Sequence, residues 1–327
     1  MINFAVIGTS HIVEVFLQAC ADIPEINFYA VYSRDRDRGR QFAEKHGAEV
    51  SYDSLEKLAA DPLLDAVYIA SPNASHCSQA VFLMNAGKHV LVEKSIASNT
   101  GEFMTMQESA RKNQVILLEE IRFLHDPGFR IIKENLKELG EIRQAIFQFC
   151  QYSSRYDNFK KGIIENAFKP ELSNGALMDI GVYCIHFLAA LFGMPDKIQA
   201  DSIFLENNID GAGSITANYK NKMQVQLIYS KITTSSLPSQ IMGEEGIMVI
   251  DKLADPRSVK IRKKNGEEIN FPIEKVPVNM YYAVKAFANA VNGKESVEEY
   301  LKYSQYEMLM SDEARKQTGI VFPADKV

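Results

Sequence analysis

Cysteine is scarce in this sequence, and the few cysteines have no metal-binding or redox spacing. The four residues, Cys20, Cys77, Cys150 and Cys184, lie far apart, and none belongs to a C-x-x-C motif. This usage argues against a disulfide scaffold and a structural zinc site, and it is typical of a protein in a reducing cytosol. We therefore expect a cytoplasmic protein without a metal ion.

Excess basic charge, long apolar runs and repeats are lacking as well. The net charge of −6 argues against a nucleic-acid partner. No apolar run approaches the roughly 20 residues that span a bilayer, so we expect no membrane partner. Residues 1–7 lack the basic region and the cleavage site of a signal peptide, and they predict a buried strand instead.

The composition is that of an ordinary globular protein of two domains. Apolar residues make up 46% of the chain and charged residues 24%. A chain of 327 residues exceeds the usual size of a single hydrophobic core. We therefore predict two domains, with a boundary where the pattern of strands and helices changes.

The first third of the chain alternates short apolar runs with amphipathic segments. We predict strands at residues 2–7, 26–32, 49–52, 66–69, 88–92 and 115–118. Helices are predicted between them at residues 11–21, 35–46, 75–86 and 100–113. Strands separated by such helices form a parallel sheet, and six strands is the number in a doubly wound dinucleotide-binding domain. Residues 1–122 are therefore predicted to form an α/β Rossmann domain.

In residues 123–327 strands predominate and follow one another through turns. We predict them at residues 142–152, 198–205, 212–219, 223–229, 246–250, 259–263 and 268–273. Helices are predicted at residues 127–139, 176–192, 280–292 and 298–318. Consecutive strands joined by hairpins predict an α+β domain with a large, mainly antiparallel sheet that helices cover on one face.

The first predicted strand runs into an incomplete dinucleotide fingerprint. A Rossmann fingerprint has glycine at its first, third and sixth positions, and here only Gly8 is retained. Gly8 provides the tight turn, while the N-terminus of the next helix offers free N–H groups to a pyrophosphate. Alone, this motif is as typical of an ordinary strand-to-helix turn. The cofactor residues expected here are Gly8, Thr9, Ser10, His11 and Ile12.

The end of the second predicted strand favours NADP over NAD. An NAD site usually places an acidic residue there, which binds the ribose hydroxyls. This chain has Ser33 and Arg34, with Arg38 one helical turn later. Hydroxyl and guanidinium groups suit a 2′-phosphate, which a carboxylate would repel. NAD and an ordinary exposed role for the two arginines remain the alternatives.

Further segments resemble the glucose–fructose oxidoreductase/inositol dehydrogenase (Gfo/Idh/MocA) family. Residues 70–76 read A-S-P-N-A-S-H, residues 86–90 read A-G-K-H-V, and residues 93–94 read E-K. The family pattern is A-T/S-P-N-x-x-H, then A-G-K-H-V, then E-K-P. Residues 173–183, S-N-G-A-L-M-D-I-G-V-Y, resemble its G-G-G-x-L-x-D-x-G-x-H/Y signature. With tyrosine at the last position of this signature, the sequence resembles the glucose–fructose oxidoreductase and dimeric dihydrodiol dehydrogenase branch of the family.

The resemblance implies roles for the residues that match these motifs. The nicotinamide half of the cofactor would be lined by Ser71, Pro72, Asn73 and His76. Glu93 and Lys94 would lie beside it, with Lys94 touching both cofactor and substrate. Asp179 and Tyr183 would face them from the second domain. Relatives pair through the open face of the second-domain sheet, which implies a homodimer or a homotetramer.

The chain departs from the family pattern at two places. Ser95 replaces the proline after the lysine, so we expect neither a fixed φ angle nor an easy cis peptide bond there. Residues 173–175 replace a triple glycine, which changes a loop expected to line the substrate. Lys169 occupies a place where relatives often have a basic residue near the substrate, and we predict a substrate contact for it.

The helix predicted at residues 176–192 carries a polar stripe. Asp179, Tyr183 and His186 follow an i, i+4, i+7 spacing on an otherwise apolar helix. The alternative to a site is a stripe that only touches water. Tyrosine ordinarily has a pKa of about 10, and a lysine nearby favours the phenolate. We therefore assign Tyr183 as general acid/base, tuned by Lys94. Asp179, one turn earlier, is expected to act with them by accepting a hydrogen bond from a substrate hydroxyl or by holding Lys94 in place. His186 contacts substrate or is structural.

These residues predict an oxidoreductase that uses NADP, or NAD, on a small molecule. Hydride transfer to or from a carbon bearing oxygen also requires a proton on that oxygen, which Tyr183 and Lys94 would move. We expect it to interconvert a secondary alcohol and a carbonyl on a sugar, polyol or vicinal diol. A catalytically silent, dinucleotide-sensing regulator is the alternative, and redox-assisted glycoside cleavage also stays open. The presence of Lys94, Asp179 and Tyr183 together favours the enzyme.

Overall fold

The computed structural model describes residues 1–326, which form two compact units. The first unit comprises Met1–Ile121 and Val276–Leu301. The second comprises Arg122–Lys275 and the residues from Lys302 onward. The chain first passes from one unit to the other after Ile121, one residue before the predicted boundary. Val276–Leu301, which the prediction placed in the second domain, belongs to the first unit.

The first unit contains a six-stranded parallel sheet. Its strands follow the order β3-β2-β1-β4-β5-β6, and each hydrogen-bonded pair is parallel. This is the doubly wound order, which reverses direction between β1 and β4 and leaves a crevice at the carboxyl ends of those strands. The elements up to Ile121 are β1 (Ile2–Ile7), α1 (His11–Cys20), β2 (Ile26–Tyr32), α2 (Arg36–His46), β3 (Val50–Tyr52), α3 (Leu55–Ala60), β4 (Ala66–Ile69), α4 (His76–Asn85), β5 (His89–Glu93), α5 (Thr100–Asn113) and β6 (Leu117–Glu120).

Local sequence accounts for these elements. Strand β4 is buried along its whole length, as its unbroken apolar run requires in a sheet covered on both faces. Helix α2 begins where the Asp35 side chain accepts a bond from the backbone N–H of Arg38, and it ends at Gly47, whose φ is 79°. The short helix α3 was not predicted. Ser54 caps it, and six residues are too few to show a helical period.

The second unit contains an eight-stranded mixed sheet. Its order is β14-β13-β12-β11-β7-β10-β9-β8, with β7 and β10 parallel and the other neighbours antiparallel. The predicted mainly antiparallel sheet is confirmed. The remaining elements of the chain are α6 (Pro127–Asn135), β7 (Ile142–Cys150), α7 (Tyr156–Phe159), α8 (Val182–Phe192), β8 (Lys197–Phe204), β9 (Asp210–Asn218), β10 (Gln224–Ser230), β11 (Ser239–Gly243), β12 (Gly246–Ile250), β13 (Ser258–Lys263), β14 (Glu268–Pro272), α9 (Met280–Val291) and α10 (Glu298–Thr318).

Helix α9 explains why the second predicted domain is not continuous. Val284 and Phe287 line the same small apolar cavity as Phe4 of β1 and Phe16 of α1. Lys285 also donates to the Glu25 carboxylate at 2.7 Å. An amphipathic helix packs wherever its apolar face finds apolar surface, and α9 finds it on the first unit.

The expectation that no apolar run is long enough for a bilayer needs a correction. By length and composition, Pro170–Phe192 qualifies as a candidate membrane span. However, 83% of its most apolar window is buried in the folded chain. A buried core helix passes the same test, so this segment is only weak evidence for a membrane.

Candidate active site

Gly8 lies in the crevice between the ends of β1 and β4. Its φ is +112°, and a side chain there would place a Cβ 3.0 Å from the carbonyl oxygen of Ala70. The Gly8 N–H donates to the Tyr32 carbonyl at 3.2 Å, so the turn is also tied to β2. Only glycine fits this backbone without strain. The tight turn expected from the sequence is therefore present.

Helix α1 points its N-terminus at the same crevice. It begins at His11 after Ser10, whose backbone is extended and whose side chain makes no capping bond. Ser10 and His11 are exposed, while Thr9 and Ile12 are partly buried. The first-turn N–H groups of α1 carry the positive end of the helix dipole, which favours an anion.

The end of β2 presents a hydroxyl and two exposed guanidinium groups. The Ser33 hydroxyl accepts from the backbone N–H of Asp35 at 3.2 Å. Arg34, the next residue, and Arg38, in the first turn of α2, are both exposed. A Cβ on Gly39 would lie 3.1 Å from that of Ser33, so α2 begins in close contact with the end of the strand.

His76 joins two loops from inside the first unit. It is fully buried, with Nδ1 2.9 Å from the Ser95 carbonyl oxygen and Nε2 2.8 Å from that of Ser71. Asn73 is buried as well, at the start of a short 3₁₀ helix, Asn73–Ser75. Pro72 is partly buried. The geometry gives His76 a clamping position between the loops that follow β4 and β5.

Backbone and side-chain bonds on both sides fix the segment around Lys94. The Tyr68 hydroxyl donates to the buried Glu93 carboxylate. The peptide bond from Lys94 to Ser95 is cis, so the expectation that replacing proline removes the cis bond is wrong. Next along the chain, the N–H of Ile96 donates to a carboxylate oxygen of Glu119 at 3.0 Å.

In the second unit, the predicted helix at residues 176–192 is not uniform. Leu177–Gly181 is a π-helical turn, and α8 follows it at Val182. The wider turn changes the angle between successive side chains, so the stripe predicted at α-helical spacing does not hold across Asp179. Single π turns within helices occur frequently at functional sites.

Asp179 on this π turn forms an ion pair that the sequence did not reveal. Its Oδ2 lies 2.9 Å from Nζ of Lys231, the residue immediately after β10. Val225, Leu227 and Tyr229 are the buried apolar residues of that strand. Their alternation continues to Lys231 and was the available signal that its side chain points inward.

The buried Asp210 accounts for the one glycine kept from the triple-glycine motif. A Cβ on Gly175, whose φ is +141°, would lie 1.9 Å from Oδ1 of Asp210. Its Oδ2 accepts from the Leu177 N–H at 2.6 Å, just before the π turn. Burial raises the pKa of Asp210 to about 6, although the positive charge of Lys231 opposes this. No sequence pattern indicated this role for Asp210.

Tyr183, in the first turn of α8, is 6% exposed. Its ring packs edge-on against Phe149 of β7, with centroids 5.3 Å apart, and more loosely against Phe123 at 6.5 Å. His186 is fully buried, which favours the structural alternative over a substrate contact. Lys169 is partly buried beside the 3₁₀ helix Pro170–Leu172.

Comparisons with known proteins agree with these features. The model of an oxidoreductase family with an NAD-binding Rossmann fold matches residues 2–121, and the GFO/IDH/MocA C-terminal domain matches residues 130–249. The fold and the crevice thus define an oxidoreductase with a nicotinamide-dinucleotide domain. The chain belongs to the Gfo/Idh/MocA family.

Individual relatives match over the full length. The chain is 44% identical to the scyllo-inositol 2-dehydrogenase (NADP⁺) IolU of Bacillus subtilis, covering 100% of both chains. It is 29% identical to the trans-1,2-dihydrobenzene-1,2-diol dehydrogenase of Mus musculus, covering 99% of both. A solved 3-ketoreductase from Actinomadura kijaniata, in complex with NADP and TDP-benzene, superimposes with a TM-score of 0.87 at 24% identity, over 98% of this chain and 99% of that one.

Proposed function

We propose that this protein uses NADP to interconvert a secondary alcohol and a carbonyl on a sugar, polyol or vicinal diol. The observation that carries the proposal is the end-to-end match to an NADP-dependent inositol dehydrogenase, with Lys94, Asp179 and Tyr183 present in this chain. The substrate class follows from that relative and from the diol dehydrogenase.

The cofactor is proposed to bind in the crevice of the first unit. The close approach of backbones at Gly8 and the α1 N-terminus suit a pyrophosphate. The residues proposed to surround it are Gly8, Thr9, Ser10, His11, Ile12, Ser71, Pro72, Asn73, His76, Glu93 and Lys94. Ser33, Arg34 and Arg38 are proposed to bind the 2′-phosphate, because guanidinium groups match phosphate in geometry and charge. Since His76 is buried, its proposed part is to hold the loops that contact the nicotinamide.

Proton transfer is assigned to the second unit's tyrosine. When bound, the nicotinamide supplies or accepts the hydride. Tyr183 is proposed to exchange the proton of the substrate oxygen, with Asp179 accepting a hydrogen bond from a substrate hydroxyl. Lys94 is proposed to favour the phenolate and anchor the substrate, on the strength of the family motif. Lys169 remains a proposed substrate contact.

We also propose that the protein works in the cytoplasm as a homodimer or homotetramer. All four cysteines are free, as expected in a reducing compartment. The sheet of the second unit has one face turned away from α8, and the exposed Ile228 and Ile247 lie on it. Apolar side chains on an uncovered sheet face favour self-association through that face.

The experiment is a screen of inositols, sugars, other polyols and vicinal diols with NADP and with NAD, followed by the absorbance of the reduced nicotinamide. We expect substrate-dependent reduction of NADP, with higher kcat/KM for NADP than for NAD. Tight NADP binding without turnover on any of these substrates, in either direction, would favour the dinucleotide sensor instead.

A further inference from the structure

Lys231 is a buried lysine that neither the family motifs nor the sequence pattern assigned. Its side chain is 2% exposed. Its backbone is held from two sides, because its N–H donates to the Gly211 carbonyl at 2.9 Å and its carbonyl accepts from Ser153 at 2.8 Å. The base of the side chain is therefore fixed, and the ammonium group reaches a defined position.

Three groups surround this ammonium. Its Nζ lies 2.9 Å from Oδ2 of Asp179 and donates to the Ala167 carbonyl at 2.6 Å. The Phe168 ring covers it, with 4.7 Å between Nζ and the ring centroid. A buried ammonium is costly unless an anion compensates it, so the Asp179 carboxylate and Lys231 stabilise each other's charged forms.

The other charged neighbours are on the strands beneath the π turn. Asp210 on β9 is close enough for Lys231 to oppose the rise in its pKa. Tyr229 on β10 faces Asp210, and burial raises the pKa of its phenol. Asp179 lies 2.9 Å from Nζ, whereas Asp210 accepts from the Leu177 N–H, so Asp179 is the carboxylate in direct contact with Lys231.

Asp179 itself is not enclosed. Its side chain remains 27% exposed, although its partner is almost completely buried. It lies on the π turn directly before the helix that carries Tyr183. The pair therefore has a fixed, buried cationic end and an accessible anionic end, as expected of a carboxylate that must meet a substrate in one orientation.

We propose that Lys231 is a positioning residue for the reaction, which holds Asp179 ionised and in a single orientation next to Tyr183. This role rests on the proposed function. The same ammonium also contacts Ala167 and Phe168. It therefore anchors the segment that precedes the loop at residues 173–175 to the π turn. Lys231 acts through Asp179 and does not itself touch substrate.

The test compares neutral and charged replacements of Lys231. Lys231→Gln and Lys231→Met remove the charge, and Gln keeps a donor for the Ala167 carbonyl. We expect both to lower kcat about tenfold or more, because an unheld carboxylate loses its orientation. The acidic limb of the kcat–pH profile should move to higher pH, because Asp179 protonates more readily without its cation. Lys231→Arg keeps the charge, so it should keep that limb while losing several-fold in kcat.

Two other lysines provide matched controls. Lys275 is equally buried and pairs with Asp126 at 2.7 Å and Asp255 at 2.6 Å. Lys275→Gln should lower stability without moving the acidic limb. Lys220 forms an exposed pair with Asp196 at 3.2 Å, and Lys220→Gln should change neither quantity.

A readout without turnover separates this inference from the proposed function. The carboxyl signal of Asp179, assigned with Asp179→Asn, can be titrated by carbon-13 NMR in labelled protein. It should titrate at higher pH in Lys231→Gln than in the wild type, even if the wild type oxidises none of the substrates. An active wild type with unchanged kinetics and titration in the neutral variants would overturn the inference. The inference would also be overturned if both neutral variants unfolded while Lys231→Arg matched the wild type in kcat and pH profile, because Lys231 would then serve stability alone.

Discussion

Tyr183 is the residue whose position most limits the proposed chemistry. It is nearly buried, and its ring is held edge-on by Phe149, so its hydroxyl has little freedom of direction. A general acid/base needs this fixed geometry more than it needs exposure.

Tyr183→Phe should therefore lower kcat by a factor of about 10² to 10⁴, the usual worth of general acid/base catalysis. The ring packing and the cofactor crevice are untouched, so the dissociation constant for NADP should stay near the wild-type value. Turnover by absorbance and NADP binding by fluorescence titration measure the two quantities. Unchanged turnover would show that another group moves the proton.

Asp210 makes stability depend on pH. Its pKa in the folded protein, about 6, exceeds the value near 4 of an aspartate in an unfolded chain. The folded state therefore favours the protonated form. The corresponding stability is present below about pH 4 and is lost as the pH rises through 6.

Asp210→Asn keeps an acceptor for the Leu177 N–H and does not titrate. Relative to the wild type, the free energy of unfolding of the variant should rise between pH 4 and pH 7, by an amount on the order of 3 kcal/mol. Urea denaturation at a series of pH values measures the difference. A difference that is constant across this range would contradict the raised pKa.

At the scale of elements, β2 and the start of α2 are proposed to determine the choice of cofactor. The strand ends at Tyr32, and Ser33 and the exposed Arg34 follow it in the turn before α2. Because the helix packs tightly against the strand end at Gly39, this turn has a defined shape.

Arg34→Glu should reverse the preference. A carboxylate repels the 2′-phosphate and can accept from the ribose hydroxyls, so kcat/KM with NADP should fall at least tenfold, while that with NAD should hold or rise. Arg40→Glu, on an exposed side chain two residues past Arg38 in α2, serves as the matched control. An equal loss of kcat/KM with both cofactors would show that Arg34 does not bind the 2′-phosphate.

The elements also show where sequence patterns are sufficient. Strands β1, β2 and β4 have the predicted bounds because an apolar run in a parallel sheet is buried on both faces. Strand β11 was missed, since Ser239–Gly243 has only two strongly apolar residues and owes its conformation to pairing with β7 and β12. The π turn was missed because its residues also fit an α-helical pattern.

At the scale of the whole molecule, the face of the second-unit sheet that points away from α8 is proposed to form the interface between subunits. Ile228 is 39% exposed and lies opposite Gln148 of β7, on the face away from the buried Phe147. A charge placed there would have to be buried without a partner on association, which is costly.

Light scattering should show a dimer or a tetramer for the wild type and smaller particles for Ile228→Lys. Ile163, 57% exposed and outside the strands, gives the control Ile163→Lys, which should leave the mass unchanged. A wild type that is monomeric at every concentration would contradict assembly through this face.

The sequence by itself determined the Rossmann topology, the antiparallel character of the second sheet and the family, because apolar periodicity and short motifs are local properties. It also singled out Lys94, Asp179 and Tyr183, which are proposed to act in catalysis. Only the tertiary structure decided that α9 returns to the first unit, that His76 is a buried clamp and that Asp179 is paired with Lys231. These depend on which distant segments meet, and burial and ion pairing between residues 52 positions apart leave no local pattern to read.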